Sequence, residues 1–287
     1  MKSLDIFANF YINSEEKFLR MKDSFHSFKK IYPKKWVINV RGEFANEAIS
    51  FLQSRLKRNL IISSMNSKLG WFNDSRKMIK YLNSDYVLFW IEDHVNIADI
   101  KAYSKIMNEM SITNSDHLFI SFFNQTKDFH KFKFEKKKNI KTTTLSSANV
   151  KLLKNDRSKH YYMISAVSIS KNSFFKKIIL SNYPIIKRWP KETPFDFEKR
   201  TTDKEFLPFN LSLPNFELFA SIDDDAGLKN TSLISRELYP NRIERKEISS
   251  VGALKIKNKL LVKLKTKTPN FLKQIYHLFK RLHYTLF

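Results

Sequence analysis

Ser84 to Ile97 reads SDYVLFWIEDHVNI. From Tyr86 to Ile91 every residue is apolar or aromatic, and Glu92, Asp93 and His94 follow at once. A short run that is apolar at every position, rather than at every second one, is the signature of a strand covered on both faces. Such strands lie inside parallel α/β sheets. Open sheets of this kind bind ligands beyond the carboxyl ends of their strands, so Glu92, Asp93 and His94 fall where a ligand is expected. Adjacent carboxylates facing a crevice offer hard oxygen donors to Mg2+ or Mn2+, with His94 as a softer third ligand. A second reading treats the acids as caps: if HVNIADIKAY starts a helix, negative charge is favoured at its beginning. The stretch by itself supports both.

The residues before this stretch alternate strand-like and helix-like runs. Leu4 to Ile12 is strand-like. Asn13 and Ser14 supply an N-cap, and Phe18, Phe25 and Phe28 line one side of a helix that Pro33 ends. Trp36 to Val40 is a second strand, Asn46 to Leu56 a second helix, and Leu60 to Ser63 a third strand. Asn73 to Leu82 then carry Met78, Ile79 and Leu82 at helical spacing and lead into the run at Tyr86. This alternation predicts an α/β fold with a mostly parallel central sheet and helices on both faces, its first hundred residues forming a Rossmann-like, nucleotide-binding half.

Composition narrows the function. The 287 residues carry 52 Lys and Arg against 28 Asp and Glu, a net charge of +24, which implies an anionic partner: nucleic acid, an anionic membrane surface or a phosphate-bearing substrate. The 4 glycines exclude a glycine-rich phosphate loop, and neither the Walker pattern nor the dinucleotide fingerprint occurs. Without cysteine there is no disulfide framework and no zinc-thiolate site. MKSLDIFANF lacks the apolar run of a signal peptide, and no window reaches bilayer length, so a cytoplasmic location is expected.

Beyond the central run, Ile97 to Met110 is expected as a helix, Leu118 to Phe123 and Tyr161 to Ser170 as strands, and Lys171 to Leu180 as a short basic helix. Aromatic and basic residues alternate from Phe129 to Phe134, as in a strand with one aromatic face or in a stacking platform for single-stranded nucleic acid. Two stretches carry further acids. In WPKETPFDFEKR, Asp196 and Glu198 point to the same side if the segment is extended, and their mutual repulsion then raises one toward a general base's working range. They also suit a helix start behind Pro194. FELFASIDDDAG is an apolar strand ending in Asp223, Asp224 and Asp225, an alternative divalent-metal site whose spacing does not match an EF-hand loop.

The order of elements, with an apolar fourth strand running into IEDH, resembles the nucleotide-sugar glycosyltransferases of the GT-A fold over residues 1 to 240. In that family an acidic motif after the fourth strand, usually Asp-x-Asp, holds the metal and the sugar-nucleotide diphosphate. Glu92 and Asp93 are the matching positions here, and the usual second aspartate is missing. The resemblance implies a nucleotide-sugar donor, a glycan or lipid-linked acceptor and a divalent cation. It also implies a catalytic base late in the chain, where Asp196 and Glu198 lie. Arg41 and Arg236 are the cations assigned to the diphosphate, since a guanidinium fork fits phosphate oxygens; surface arginines fit the same positions. Residues 1–250 are then one domain, with a donor half over 1–110 and an acceptor half over 111–250.

Residues 251–287 form a basic tail. In PNFLKQIYHLFKRLHYTLF, Phe271, Leu272, Ile275, Leu278, Phe279 and Leu282 recur at spacings of three and four, with Lys273, Lys280 and Arg281 outside them. Such a basic amphipathic helix suits an anionic membrane surface, on the inner face of the cytoplasmic membrane, or a helix packed on its own domain. Nucleic-acid binding, or a metal-dependent nuclease, is the competing class. It leaves the acids at the end of a buried strand without a purpose unless they hold metal.

Overall fold

In the first strand, β1 (Leu4–Tyr11), Ile6, Ala8 and Phe10 enter one buried apolar cluster and Phe7 enters another on the opposite face. The same split occurs in β2 (Lys35–Arg41), where Ile38 and Val40 oppose Val37. The computed structural model describes residues 2–56, 58–67, 70–119, 132–150, 167–181, 207–222 and 232–239. All of these lie in the unit Met1–Pro240.

Side chains that alternate across a strand need cover on both sides, and amphipathic helices supply it. On one face lie α1 (Glu15–Phe28) through Met21, Phe25 and Phe28, and α2 (Ala45–Arg55) through Ala48 and Leu52. β3 (Leu60–Ser63) follows α2. The other face is covered by α3 (Gly70–Met78), which brings Trp71, Phe72 and Met78, and a single 3-10 turn (Ile79–Tyr81) continues it. β4 (Tyr86–Phe89) is buried throughout: Leu88 faces the first cluster, Val87 and Phe89 the second. The expected two-sided burial of this strand is therefore present.

The next elements depart from expectation. A helix was expected from Ile97; instead β5 (His94–Asn96) comes first, and α4 (Lys101–Ile112) starts later. Asn96 causes the delay, because its amide donates to the carbonyls of Ser27 (3.2 Å) and Ala98 (2.9 Å) and fixes an extended backbone before the helix begins. β6 (His117–Phe119), β7 (Glu135–Lys136), β8 (Ile140–Thr144), β9 (Ser168–Lys171), α5 (Asn172–Leu180), β10 (Asn210–Pro214) and β11 (Phe219–Ser221) complete the described elements. β10 has no counterpart in the sequence reading. Phe132 to Phe134 are not strand; Phe132 is buried, while Phe134 lies under the Lys141 ammonium at 5.1 Å.

Among the described residues, nine strands pair in the order β3-β2-β1-β4-β9-β6-β10-β8-β7, and β11 pairs with β5 in a separate ribbon. β3, β2, β1 and β4 are parallel; β9 enters antiparallel between β4 and β6. The first half is thus the parallel sheet that the sequence implied, and the second half is mixed. Asp5 fixes the entry to β4: its buried carboxylate accepts from the amides of Asn83 (2.8 Å) and Ser84 (2.9 Å) and from the Ser84 hydroxyl (2.7 Å).

At the carboxyl end of β2 the chain turns on Gly42, whose φ of 102° lies in the left-handed region. A Cβ there would sit 2.4 Å from the carbonyl oxygen of Ile12. Gly42→Ala is expected to destabilise the protein by about 1–3 kcal/mol in urea unfolding, through strain that no rotamer relieves.

Candidate active site

β4 ends as the Trp90 amide donates to the Phe7 carbonyl (2.9 Å), its last tie to the sheet. Trp90 is 1% exposed and its ring meets Phe10 and Phe28 edge-on at 4.6 and 5.0 Å. Its indole N–H donates to the Ser24 hydroxyl (2.8 Å), and Ser24 in turn donates to the carbonyl of His94. Three residues on, Ser27 accepts the amide of Asn96 (2.8 Å), and the Tyr103 hydroxyl donates to the Asn96 side-chain oxygen (2.6 Å). Serines one helical turn apart on α1 thus pin both sides of the bend that carries Glu92 and Asp93. The bend does not cap a helix: β5 leaves it antiparallel to β11, with His94 opposite Ser221. The capping explanation of the acids is overturned.

The two carboxylates take opposite electrostatic roles. Burial pushes Asp93 up, but the His94 ring, with Nδ1 2.6 Å from Asp93 Oδ1, and Arg20 behind it outweigh burial and hold the carboxyl below its ordinary range. Glu92 lacks such a partner. Its side chain keeps an edge toward solvent, yet the protein around it leaves too little water to hold the charge, and Asp93 repels it. Together these raise Glu92 to about 7, against a smaller pull from Lys17. Lys17 and Arg20 lie on the same face of α1, and the Lys17 ammonium also reaches the Tyr11 carbonyl (3.4 Å) and stands 5.5 Å from the Tyr11 ring.

Beside this bend, at the carboxyl ends of β1 and β2, an amide network fastens the following loop to the sheet. The Asn39 amide donates to Asn9 Oδ1 (3.0 Å) and to the Met65 carbonyl (2.9 Å), while the Asn9 amide reaches the Trp71 carbonyl (3.0 Å) and Ser75 (2.9 Å). Arg41 follows on β2. It is 2% exposed, with its guanidinium 5.6 Å from the Tyr11 ring, so the surface-arginine reading does not hold for it.

No protein-family model and no curated protein matches this sequence. Solved structures do. S. aureus TarS 1-349 in complex with UDP-GlcNAc aligns at a TM-score of 0.50 and 15% identity, over 78% of this chain and 59% of that one. The fold is GT-A-like. Without the ligand, TarS 1-349 gives 0.48 at 16% identity over 76% of this chain and 60% of its own. The mannosyltransferase PcManGT from Pyrobaculum calidifontis in complex with GDP-Man and Mn2+ gives 0.33 at 10% identity, over 41% of this chain and 35% of its own. This chain thus spans about three fifths of the TarS 1-349 chain.

In this GT-A-like frame the expected site residues separate. Glu92, Asp93 and His94 share one bend, but His94 turns its Nδ1 onto Asp93 instead of joining the two acids around one ion. No group of three His, Asp or Glu side chains suited to a metal occurs among the described residues. Of the described donors at the bend, Glu92 and Asp93 supply the hard oxygens that Mg2+ or Mn2+ takes, while His94 Nδ1 is engaged by Asp93. Arg236 pairs its fork with Glu217, at 2.9 and 3.3 Å, which braces residues 232–239. Asp196, Glu198, Asp223, Asp224 and Asp225 lie outside the described residues; Ile222, which precedes the aspartates, donates its amide to the Asp93 carbonyl (2.8 Å). The sequence reading missed Lys17, Arg20 and Ser24. Only a helical wheel of α1 set against the exit of β4 would have marked them.

Two stability measurements test this geometry. Glu92, raised in the folded chain from an ordinary 4.5 to about 7, opposes folding increasingly as pH rises through that window. Glu92→Gln should therefore unfold at higher urea than the parent at pH 8, and the gain should vanish by pH 4. Asp93 acts in the opposite sense, its contribution fading as pH falls below the ordinary carboxyl range. Ser24→Ala should cost about 1–3 kcal/mol at any of these pH values, since it strands the Trp90 indole N–H and the His94 carbonyl.

Proposed function

We propose that this protein is a glycosyltransferase that moves a sugar from a nucleotide-sugar donor to a hydroxyl of a glycan or lipid-linked acceptor, in surface polysaccharide biosynthesis. One observation carries the reading: a strand buried on both faces delivers Glu92 and Asp93 to the carboxyl end of a parallel sheet. The fold around them is shared, at a TM-score of 0.50, with a protein whose structure holds UDP-GlcNAc. Ligands of open α/β sheets bind at this end.

The proposed step is a direct displacement. The acceptor oxygen bonds to the anomeric carbon as the bond to the diphosphate oxygen breaks, and the leaving nucleoside diphosphate keeps the electron pair. The hydroxyl proton passes to Asp196 or Glu198, and the anomeric configuration inverts. Arg41, Lys17 and Arg20 are the fixed cations proposed to offset charge on the leaving group, in a setting where preorganised charge is worth more than in water. Glu92 and Asp93 with His94, or alternatively Asp223, Asp224 and Asp225, which follow Ile222 in the chain, are proposed for Mg2+ or Mn2+. The chain is proposed to act in the cytoplasm, with residues 269–287 as one contact to an anionic membrane surface. No helix among the described residues is long and apolar enough to cross one.

Thermal unfolding with UDP-, GDP-, CMP- and dTDP-sugars, with and without Mn2+, tests the class. One nucleotide sugar at a hundred times its Kd should stabilise the protein by about 2.7 kcal/mol. Stabilisation by short DNA or RNA instead would overturn the reading. With the donor known, Asp196→Asn and Glu198→Gln are each assayed for sugar transfer. The variant that removes the base should lose about a hundredfold or more in rate while keeping its donor-induced stabilisation.

A further inference from the structure

At the end of the sheet opposite the acidic bend, the amino ends of β1 to β4 gather cations for which sugar transfer has no use. The Lys34 amide donates to the Leu4 carbonyl (2.7 Å), that of Trp36 to Asn59 (2.8 Å), and the Lys35 ammonium to the Tyr81 carbonyl (3.3 Å). These bonds bring Lys2, Lys34, Lys35, Arg58 and Lys80 onto one rim, and Lys30 at the end of α1 extends it. All but the half-buried Lys35 are exposed. Two aromatic rings stand among them: Tyr32 is 92% exposed, and Tyr81, 37% exposed, lies 5.0 Å from the Lys80 ammonium. The acids of this rim leave the charge standing. Asp5 is buried and turned inward on Asn83 and Ser84, and Asp85 is engaged by Ser3 and Lys2.

We propose that this rim docks on an anionic lipid bilayer, with Tyr32 at the level of the headgroups. Clustered lysines add their attractions to an anionic leaflet, and their flexible stems let each ammonium find a headgroup. Tyrosine, apolar in its ring and polar at its tip, suits the same boundary. The rim holds one arginine, Arg58, and its cations are otherwise lysines, so short RNA is the competing ligand that the test must separate from lipid. The span of β1 from Leu4 to Tyr11 places the acidic bend about 23 Å from the rim along the strand. An acceptor anchored in the same bilayer would have to be extended enough to span that distance.

The absence of cysteine makes a direct test available. Tyr32→Cys in the full chain takes a single environment-sensitive fluorophore. Asn46→Cys, in the first turn of α2 beyond the opposite end of β2, is the reference position. Each labelled chain is mixed with vesicles of phosphatidylcholine alone or of phosphatidylcholine with phosphatidylserine, using brominated lipid as quencher. The expected result is quenching at position 32 with the anionic vesicles only, and none at position 46. The variant carrying Lys30→Gln, Lys34→Gln, Arg58→Gln and Lys80→Gln, with unchanged circular dichroism, should lose at least about tenfold in partition to the anionic vesicles. No quenching at position 32 overturns the proposal, even if the four-site variant does not fold. So does equal quenching at both positions, an undiminished partition of a folded variant, or a response at position 32 to short RNA and not to vesicles.

Discussion

A single hydroxyl holds the two ends of the acidic bend. Ser24 is fully buried on α1, takes the indole N–H of Trp90 and gives its own proton to the carbonyl of His94. Trp90 is the last residue tied to the sheet and His94 the first of the outer ribbon, so Glu92 and Asp93 hang between two fixed points. A buried serine with both functions satisfied costs little, whereas a larger side chain would displace the Trp90 ring from its aromatic cage. The helix therefore does more than cover the sheet: it sets where the carboxylates stand.

Two adjacent acids in one bend cannot share the same electrostatic fate. Asp93 has a histidine hydrogen-bonded beside it and an arginine behind it, and is held below its ordinary range; Glu92 feels only weaker pulls from Lys17 and His94, and burial and Asp93 push it toward its protonated form. The difference arises from α1 and from the ring following Asp93, not from the acids themselves. The same cations line the place where a leaving diphosphate is proposed to sit, so the bend and the α1 face form one patch of alternating charge. Arg41, on the second strand, is buried against Tyr11.

The fold was legible where apolar periodicity was unambiguous. YVLFWI announced a strand covered on both faces, and Asn13-Ser14 followed by two glutamates announced the first helix, whose cap is Ser14 accepting from the Lys17 amide. The ribbon was legible on one side only. β11 lies inside FELFASIDDDAG, read as a strand, whereas HVN is too short to show a period and only its pairing with β11 makes it one. β10 escaped because NLSLP carries its polar residues at the positions that hydrogen-bond within the sheet, as Ser212 does with Thr142. At the site, residue types pointed to Glu92 and Asp93, but partners decided their roles. Glu217 claimed Arg236, and Asp93 claimed His94, neither of which any spacing in the sequence could announce.

The ribbon also imposes an order in time. β5 leaves the ribosome early, but the strand it pairs with, Phe219 to Ser221, is made only after all nine strands of the main sheet have been translated. A nascent chain can stack its first helices and strands by local contacts while the bend at Glu92 still lacks its outer neighbour. The acids are thus locked in place only after the scaffold that must support them has been made.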